Sequence, residues 1–370
     1  MIYLDYAASS PLYPEAAEEL LRCSQEEFSN PGGLHRPAGR ARALIHRSRA
    51  SLARLLEVPD RSVFFCASAT EANNWAIRCA AAQGPGHLLI GACEHKSVLE
   101  SAKALRARGF ALTLLRPDSR GFYAPDAVEA ALRPDTRLLS IQAANNETGA
   151  VQDVAALSEI AARRHILYHC DAAQSFGHVS LPLHRADLVA LSAHKLGGPR
   201  GAACLVVRRG LTPEPLLYGG GQELSLRAGT ENTAAISAFA VAAKLACREQ
   251  AAEEERIRAL RLRFAELLRR AVPGVVFHES DRMLPGILNC AVPGLSGEEL
   301  LMRLDLREIC ISTGSACASA DAAPSHVLLA MGCSEEEALR SVRFSLGRLT
   351  TASEIESAAA AVAEICGGRD

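Results

Sequence analysis

Between residues 60 and 210 the sequence alternates short apolar runs with stretches of helical period, and few folds accommodate that pattern. The runs Ser62–Cys66, His87–Gly91, Ala111–Leu115, Leu138–Gln142, Ile166–Asp171, Leu188–Ser192 and Ala203–Arg208 read as strands. Thr70–Ala82, Ser97–Ala107, Ala124–Ala131 and Val154–Arg164 read as helices between them. A helix-length connection lets successive strands pair in parallel, which a tight hairpin cannot do. Runs that are apolar almost throughout are buried on both faces. The expected fold is therefore α/β, with a large domain built on a mainly parallel seven-stranded sheet. Ile236–Leu268 reads as one or two long helices. Beyond it, Val275–His278, Ile287–Ala291, Gly297–Leu306, Ile309–Thr313 and Val342–Ser345 suggest a smaller α+β C-terminal domain. The expected division is residues 13–250 for the large domain, with residues 1–12 and 251–370 forming the small one.

Bulk properties narrow the function class. The chain has 370 residues and a formal net charge of −2, so nothing points to nucleic acid or an anionic membrane as its main partner. No apolar run is long enough to span a bilayer, and Met1–Tyr6 lacks the basic-then-apolar pattern of a signal peptide. The twelve cysteines are scattered, with no C-x-x-C pair, and most flank apolar residues. They read as small core side chains in a protein of the reducing cytoplasm. His165 and His169 lie four apart with no third ligand nearby, so no metal site is expected there. No G-x-G-x-x-G follows the first strand, which disfavours a nicotinamide enzyme.

Sites in parallel sheets gather at the carboxyl ends of strands. Two apolar runs end there in groups that carry chemistry: Ile166–Tyr168 leads to Asp171, and Asp187–Ser192 leads to His194 and Lys195. A lysine able to form a Schiff base and an aspartate able to pair with a pyridinium nitrogen are what a pyridoxal phosphate site needs. Asp171 also suits the N-cap of a following helix, and the two roles are compatible. Gln174 could donate to the ring phenolate oxygen or serve as an ordinary first-turn glutamine. Ala67–Glu71 follows a strand and opens a helix, so backbone N–H groups at Ala69 and the Thr70 hydroxyl could face a phosphate. His95 follows another strand, where it could stack on a cofactor or be structural. Cys317 sits among small and polar residues in Ser312–Asp321, a setting that fits an accessible nucleophile or a tolerated turn cysteine.

These residues belong to a longer series. In order along the chain stand Tyr3–Pro11, Asn30 and Pro31 followed by His35, Ala69–Asn74, Glu94 and His95, Asn145–Gly149, and Asp171–Gln174. Ser192–Lys195, Gly219–Glu223, Arg227–Asn232, Gly314–Cys317 and Arg343–Gly347 follow. The series resembles the cysteine desulfurase family, pyridoxal phosphate enzymes of the class V aminotransferase group, over nearly the whole chain. The resemblance implies fold type I of the pyridoxal phosphate enzymes. It implies that Lys195 carries the cofactor, His95 stacks on it, Asp171 pairs with its ring nitrogen and Gln174 with its phenolate oxygen. Thr70, Ser192 and His194 would hold the phosphate, with Thr230 reaching the phosphate of a neighbouring subunit in a homodimer. Asn146 and Arg343 would bind the substrate carboxylate, and Cys317 would accept sulfur.

The implied reaction converts L-cysteine to L-alanine and leaves a persulfide on Cys317. The sulfur then passes to an acceptor protein, either an iron–sulfur scaffold or a tRNA- or cofactor-thiolation enzyme. Pro324 lies seven residues beyond Cys317, and no Arg-x-Gly-x-His-Cys stands here. Both features resemble the long-loop branch of the family. Ala67 and Ser68 stand where the family usually has Ser-Gly, which adds a side chain near the expected phosphate. A selenocysteine lyase, or a non-catalytic cofactor-binding sulfur carrier, would share most of these features.

Overall fold

The computed structural model describes residues 1–82, 84–208, 210–314 and 323–367. Its strands in chain order are β1 (Ile2–Tyr3), β2 (Val63–Cys66), β3 (His87–Gly91), β4 (Ala111–Leu115), β5 (Thr136–Ser140), β6 (Leu167–Asp171) and β7 (Leu188–Ser192). They continue with β8 (Ala203–Val207), β9 (Val276–Phe277), β10 (Ile287–Ala291), β11 (Ile309–Cys310), β12 (Ser312–Thr313) and β13 (Ser341–Ser345). The seven strands β2 to β8 form one sheet in the order β2-β8-β7-β6-β5-β3-β4. The pairings among β3 to β7 are parallel, while β8 runs antiparallel to both β7 and β2.

The main helices are α1 (Pro14–Glu26), α2 (Arg36–Leu55), α3 (Ala69–Ala81), α4 (Lys96–Arg106), α5 (Pro125–Ala131) and α6 (Val154–Arg164). After the sheet come α7 (Thr233–Ala271), α8 (Gly297–Asp305), α9 (His326–Met331), α10 (Glu335–Leu339) and α11 (Ala352–Cys366). Their starts follow local chemistry. Asp153 and Asn232 accept N-terminal amides of α6 and α7, Pro125 opens α5, and Thr351 with Glu354 makes a capping box for α11.

Neighbouring residues along each central strand face opposite sides, so the sheet feeds two cores. Leu139, Tyr168, Val189 and Leu191 pack with Phe239 on one side. Leu138, Leu167, Leu188 and Ala190 pack with Trp75 on the other. The expected strand at Leu138–Gln142 begins and ends two residues earlier, at Thr136 and Ser140. Thr136 pairs with His87, while the Gln142 amide donates to the buried Glu94 carboxylate, 2.7 Å away.

The long helical stretch is one continuous α7. Its alanine-rich first part, with Phe239, joins the first of these cores; Ile257, Phe264 and Leu268 near its end join another core with Leu4, Leu288 and Phe344. Phe264 and Phe344 meet edge to face at 4.9 Å, a pair whose truncation costs about 3–5 kcal/mol. β10, β13, β12 and β9 make a second, antiparallel sheet over that core. The N-terminus belongs here too, because β1 pairs in parallel with β11 and Asp5 bridges to Ser345. Among the described residues no helix is long and apolar enough to cross a membrane.

Candidate active site

β6 and β7 end side by side, with Asp171 in register with Ala190, so Asp171 and the turn after Ser192 leave the same edge of the sheet. The turn is a single tight one, Ala193–Lys195, closed by the amides of Leu196 and Gly198 on the Ala193 carbonyl. Gly197 follows at φ +84°, and a Cβ there would lie 2.6 Å from the Tyr13 ring. The turn aims half-buried Lys195 at the N-terminal segment. Its Nζ donates to the carbonyls of Ala7 and Ala8, at 2.6 and 3.1 Å. Gln174 Nε2 donates to the same Ala7 carbonyl at 2.8 Å. Ser10 clamps the turn further, its Oγ donating to the Lys195 carbonyl at 2.8 Å.

Asp171 is buried and fully oriented. Its Oδ1 accepts the Ala173 amide at 2.9 Å, and its Oδ2 accepts Asn73 Nδ2 at 2.7 Å. Residues 173–178 form turns, so Asp171 closes a turn and does not cap the expected helix. Asn73 Nδ2 also donates to Ser97 Oγ at 2.9 Å, and that hydroxyl lies 2.8 Å from His95 Nδ1. His95 Nδ1 accepts the Ser97 amide as well, at 3.1 Å. The chain of donors fixes the ring: Ser97 accepts from Asn73 and gives its own proton to Nδ1, so neutral His95 carries its proton on Nε2. Desolvation holds His95 below the usual imidazole range; the Asp171 charge opposes this and Lys195 adds to it.

The expected phosphate ligands lie at the strand and helix ends next to Lys195. The Ser192 hydroxyl is buried and has no hydrogen-bond partner among the described residues. His194 Nδ1 lies 3.3 Å from Ser9 Oγ, and burial with the Lys195 and Arg200 charges lowers its pKa to about 4. Ala69 opens α3, and Thr70 is exposed in the first turn. Ser68 Oγ accepts the Glu71 amide at 3.1 Å, so the extra hydroxyl at this position caps α3. Thr230 is exposed and lines a cleft with Ala67 and Arg227. Arg227 is tied to Glu71 by an ion pair of 2.9 Å. A buried unpartnered hydroxyl, a capped helix N-terminus and a fixed carboxylate at the far end fit a ligand with a phosphate at one end and a protonated ring nitrogen at the other.

A second cluster comes from the smaller sheet. Arg343 on β13 is buried; it donates through Nη1 to the Asn146 carbonyl and through Nη2 to Asp5 Oδ1, both at 2.8 Å. Its Nε is buried and has no partner among the described residues. Asn146 thus meets Arg343 through its main chain. Next to it, Asn145 Oδ1 accepts the amides of Glu147 and Thr148 and holds the turn up to Gly149. The Glu147 carboxyl is buried and pushed up to about 7 by desolvation, against the Ser325 hydroxyl and the Arg343 charge. Ser325 donates to Glu147 Oε2, and a Cβ at Gly314 would lie 2.3 Å from that oxygen. Cys317, between Gly314 and Ser325 in sequence, lies outside the described residues.

Several contributors carried no expected role. Asn73, Asp5 and the Ala7 carbonyl act through partners distant in sequence, and Ser97 joins distant Asn73 to neighbouring His95. Glu223, at φ +48°, forms a buried ion pair with Arg49 and accepts the Phe65 amide, pinning the segment that leads to Thr230. The sequence signal for Asn73 was a polar residue on a helix face otherwise buried, between Ala72 and Ala76.

The sequence matches the family described as Aminotransferase class-V over residues 2–357. It is 40% identical to the cysteine desulfurase IscS of Tolumonas auensis, over 96% of this chain and 90% of that protein. A solved NifS-like protein superposes with a TM-score of 0.93 at 30% identity, covering 99% of both chains. SspA in complex with cysteine superposes with a TM-score of 0.83 at 33% identity, covering 95% of this chain and 100% of that one. The cradle at the sheet edge and these likenesses agree: the chain belongs to the aminotransferase class-V family and is a pyridoxal phosphate-dependent enzyme of its cysteine desulfurase group.

Proposed function

We propose that the chain converts L-cysteine to L-alanine, takes the sulfur as a persulfide on Cys317 and passes it to an acceptor protein. The observation that carries the reading is the N-terminal segment. Within a few residues it engages Lys195 and Gln174 through the Ala7 carbonyl and Arg343 through Asp5. A lysine for the cofactor and an arginine for a carboxylate are thereby held at fixed separation, as an α-amino acid substrate requires. The binding of cysteine by SspA supports the substrate.

Bound pyridoxal phosphate supplies an electron sink for charge developing at the substrate Cα. Asp171, locked by Asn73 and the Ala173 amide, presents its carboxylate to keep a proton on the ring nitrogen. Gln174 would donate to the phenolate oxygen. Ser192, His194, Thr70 and the Ala69 amide would hold the phosphate. His95, neutral with its proton on Nε2, would stack on the ring. Arg343 receives the substrate carboxylate beside Asn146. Lys195 would hold the cofactor, and its amine would be the base that takes a proton from the substrate Cα and returns one. The Cys317 thiolate forms the new S–S bond as the substrate Cβ–S bond breaks, and the carbon side takes up a proton. Cysteine plus the Cys317 thiol gives alanine plus the Cys317 persulfide, with no external oxidant or reductant.

A homodimer fits the exposed position of Thr230. Residues 13–250 act as the cofactor-binding unit, and residues 1–12 with 251–370 as the unit that brings Arg343 and Cys317. The cytoplasm, where thiols stay reduced, suits the chemistry. The test mixes cofactor-loaded protein with L-cysteine and a reductant and quantifies alanine and sulfide, with Cys317→Ala alongside. Equal amounts of both products, lost in the variant, are expected. Cofactor bound without alanine formed would overturn the reading. A Cys317→Ala protein fully active on selenocysteine alone would replace it with a selenocysteine lyase.

A further inference from the structure

Three residues of different ligand chemistry converge at the edge of the smaller sheet. His278 follows β9, Cys333 lies in the connection between α9 and α10, and Glu337 is on α10. His278 Nδ1 lies 3.8 Å from Cys333 Sγ and 3.8 Å from Glu337 Oε1. One ligand atom from each residue can be chosen so that all three fall within 4.8 Å of one another. We propose that His278, Cys333 and Glu337 bind a divalent transition-metal ion of the zinc class, with a fourth position left to water or an external donor.

The donor set selects the metal. Thiolate, imidazole and carboxylate together suit zinc, whereas calcium and magnesium take oxygen ligands. Tetrahedral zinc has Zn–S of about 2.3 Å and Zn–N of about 2.0 Å, which places sulfur and nitrogen about 3.6 Å apart. The 3.8 Å observed needs only a small contraction. The half-exposed Glu337 side chain can rotate to close the remaining distance.

A second, independent observation concerns the far side of the imidazole. Ser341 Oγ gives its single proton to the Glu337 carbonyl at 2.7 Å, so toward His278 it can only accept. His278 Nε2, 3.1 Å away, therefore carries the ring proton, and the Nδ1 lone pair points at the sulfur and the carboxylate. That is how metal-binding histidines are oriented: the other ring nitrogen donates to a fixed oxygen outside the ligand set. The backbone is fixed as well, because the His278 amide donates to the Asn289 carbonyl at 3.0 Å. His278 is buried, while Cys333 and Glu337 are partly open, so the fourth position faces solvent. No redox step is involved. The Cys333 thiol loses its proton to solvent as the metal–thiolate bond forms, and affinity rises with pH.

The test titrates cofactor-loaded protein with zinc alone and counts the zinc retained per chain after dialysis. Cobalt substitution then reports thiolate ligation by its charge-transfer absorbance. Cys333→Ser, Glu337→Gln and His278→Gln are compared in a Cys317→Ser background, which removes the thiol assigned to the proposed reaction. The expected result is one tight zinc per chain in that background, lost in Cys333→Ser together with the cobalt charge-transfer band. Ser341→Ala is expected to weaken zinc about 10- to 100-fold, as loss of an orienting partner does. Equal zinc content and affinity with and without Cys333→Ser would overturn the proposal. Should buried His278→Gln fail to fold, partly exposed Glu337→Gln decides the same question, with circular dichroism checking each variant. The readout needs no turnover, so it stands or falls apart from the desulfurase assignment.

Discussion

The two ends of the site are built on opposite principles. At the sheet edge, Asp171, Asn73, Ser97 and His95 form a run of neutral hydrogen bonds ending on one carboxylate, in which each N–H and O–H proton has one destination. At the smaller sheet, Arg343, Asp5 and Glu147 form a charge cluster in which one guanidinium faces two carboxyls and, among the described residues, keeps a buried Nε without a partner. The first end is set before any ligand arrives, which suits a resident cofactor that must be held in one pose. The second sets a charged donor with a free N–H beside a carboxyl raised to about 7, which suits a charged substrate that enters and leaves. The N-terminal strap is the mechanical link, since Ala7 holds the first end and Asp5 the second.

Breaking the first end at its reactive group has the largest expected effect. Lys195→Ala should lower turnover by about 10²- to 10⁴-fold or more and abolish the yellow absorbance of lysine-bound cofactor. Retention of that absorbance would remove Lys195 from its place. Next comes the anchor of the second end. Arg343→Ala should lower kcat/KM for cysteine by about 10²-fold or more, mainly through KM, because a buried charge-assisted pair is worth about 2–5 kcal/mol. A loss confined to kcat would mean that Arg343 serves the chemistry rather than the carboxylate. A smaller effect separates the two construction principles. Asn73→Ala leaves Asp171 Oδ2 and Ser97 Oγ each short of a donor, at about 1–3 kcal/mol per buried group. It should shift the pH profile of the bound cofactor and release the His95 tautomer, read by ¹⁵N chemical shifts of the imidazole in cofactor-free protein. Unchanged shifts would show that the Ser97 amide alone holds the ring.

The same contrast explains what could be read before folding. Sheet-end residues announce themselves because they terminate apolar runs: Asp171 and Lys195 sit where a strand buried on both faces stops and polar chemistry starts. The sheet was legible for the same reason, apart from the β5 frame. There Gln142 looks like a strand residue, but its amide is claimed by Glu94, almost fifty positions away in sequence. Asp5, Asn73 and Glu147 stood inside recognisable motifs but carried no role of their own, because their meaning lies in partners the chain brings in from elsewhere. Arg343 meets Asp5 only because β1 joins β11 and the N-terminus crosses between the two sheets. A run of hydrophobicity records the layer a residue occupies. It does not record which carboxylate will face which guanidinium.

The smallest expected effect tests the charge cluster by pH. The Glu147 carboxyl rises from an unfolded value near 4.5 to about 7 in the folded protein. The native state therefore binds more protons than the unfolded chain between those values, and stability falls as pH rises through that window. Below about 4.5 both states are protonated and Glu147 contributes no penalty; above about 7 the penalty is complete, at most about 3 kcal/mol. Glu147→Gln keeps an acceptor for the Ser325 hydroxyl but has no charge to bury. Its stability should exceed that of the parent most at pH 8, with the gap narrowing steadily toward pH 5 in urea titrations. Combining it with Arg343→Ala should widen the contrast between the Glu and Gln forms, because the guanidinium is one of the groups holding the Glu147 pKa down. A gap that does not change with pH would mean Glu147 titrates alike in both states. The second end would then be as rigidly satisfied as the first, and the division between a fixed cofactor cradle and an adjustable substrate cluster would fail.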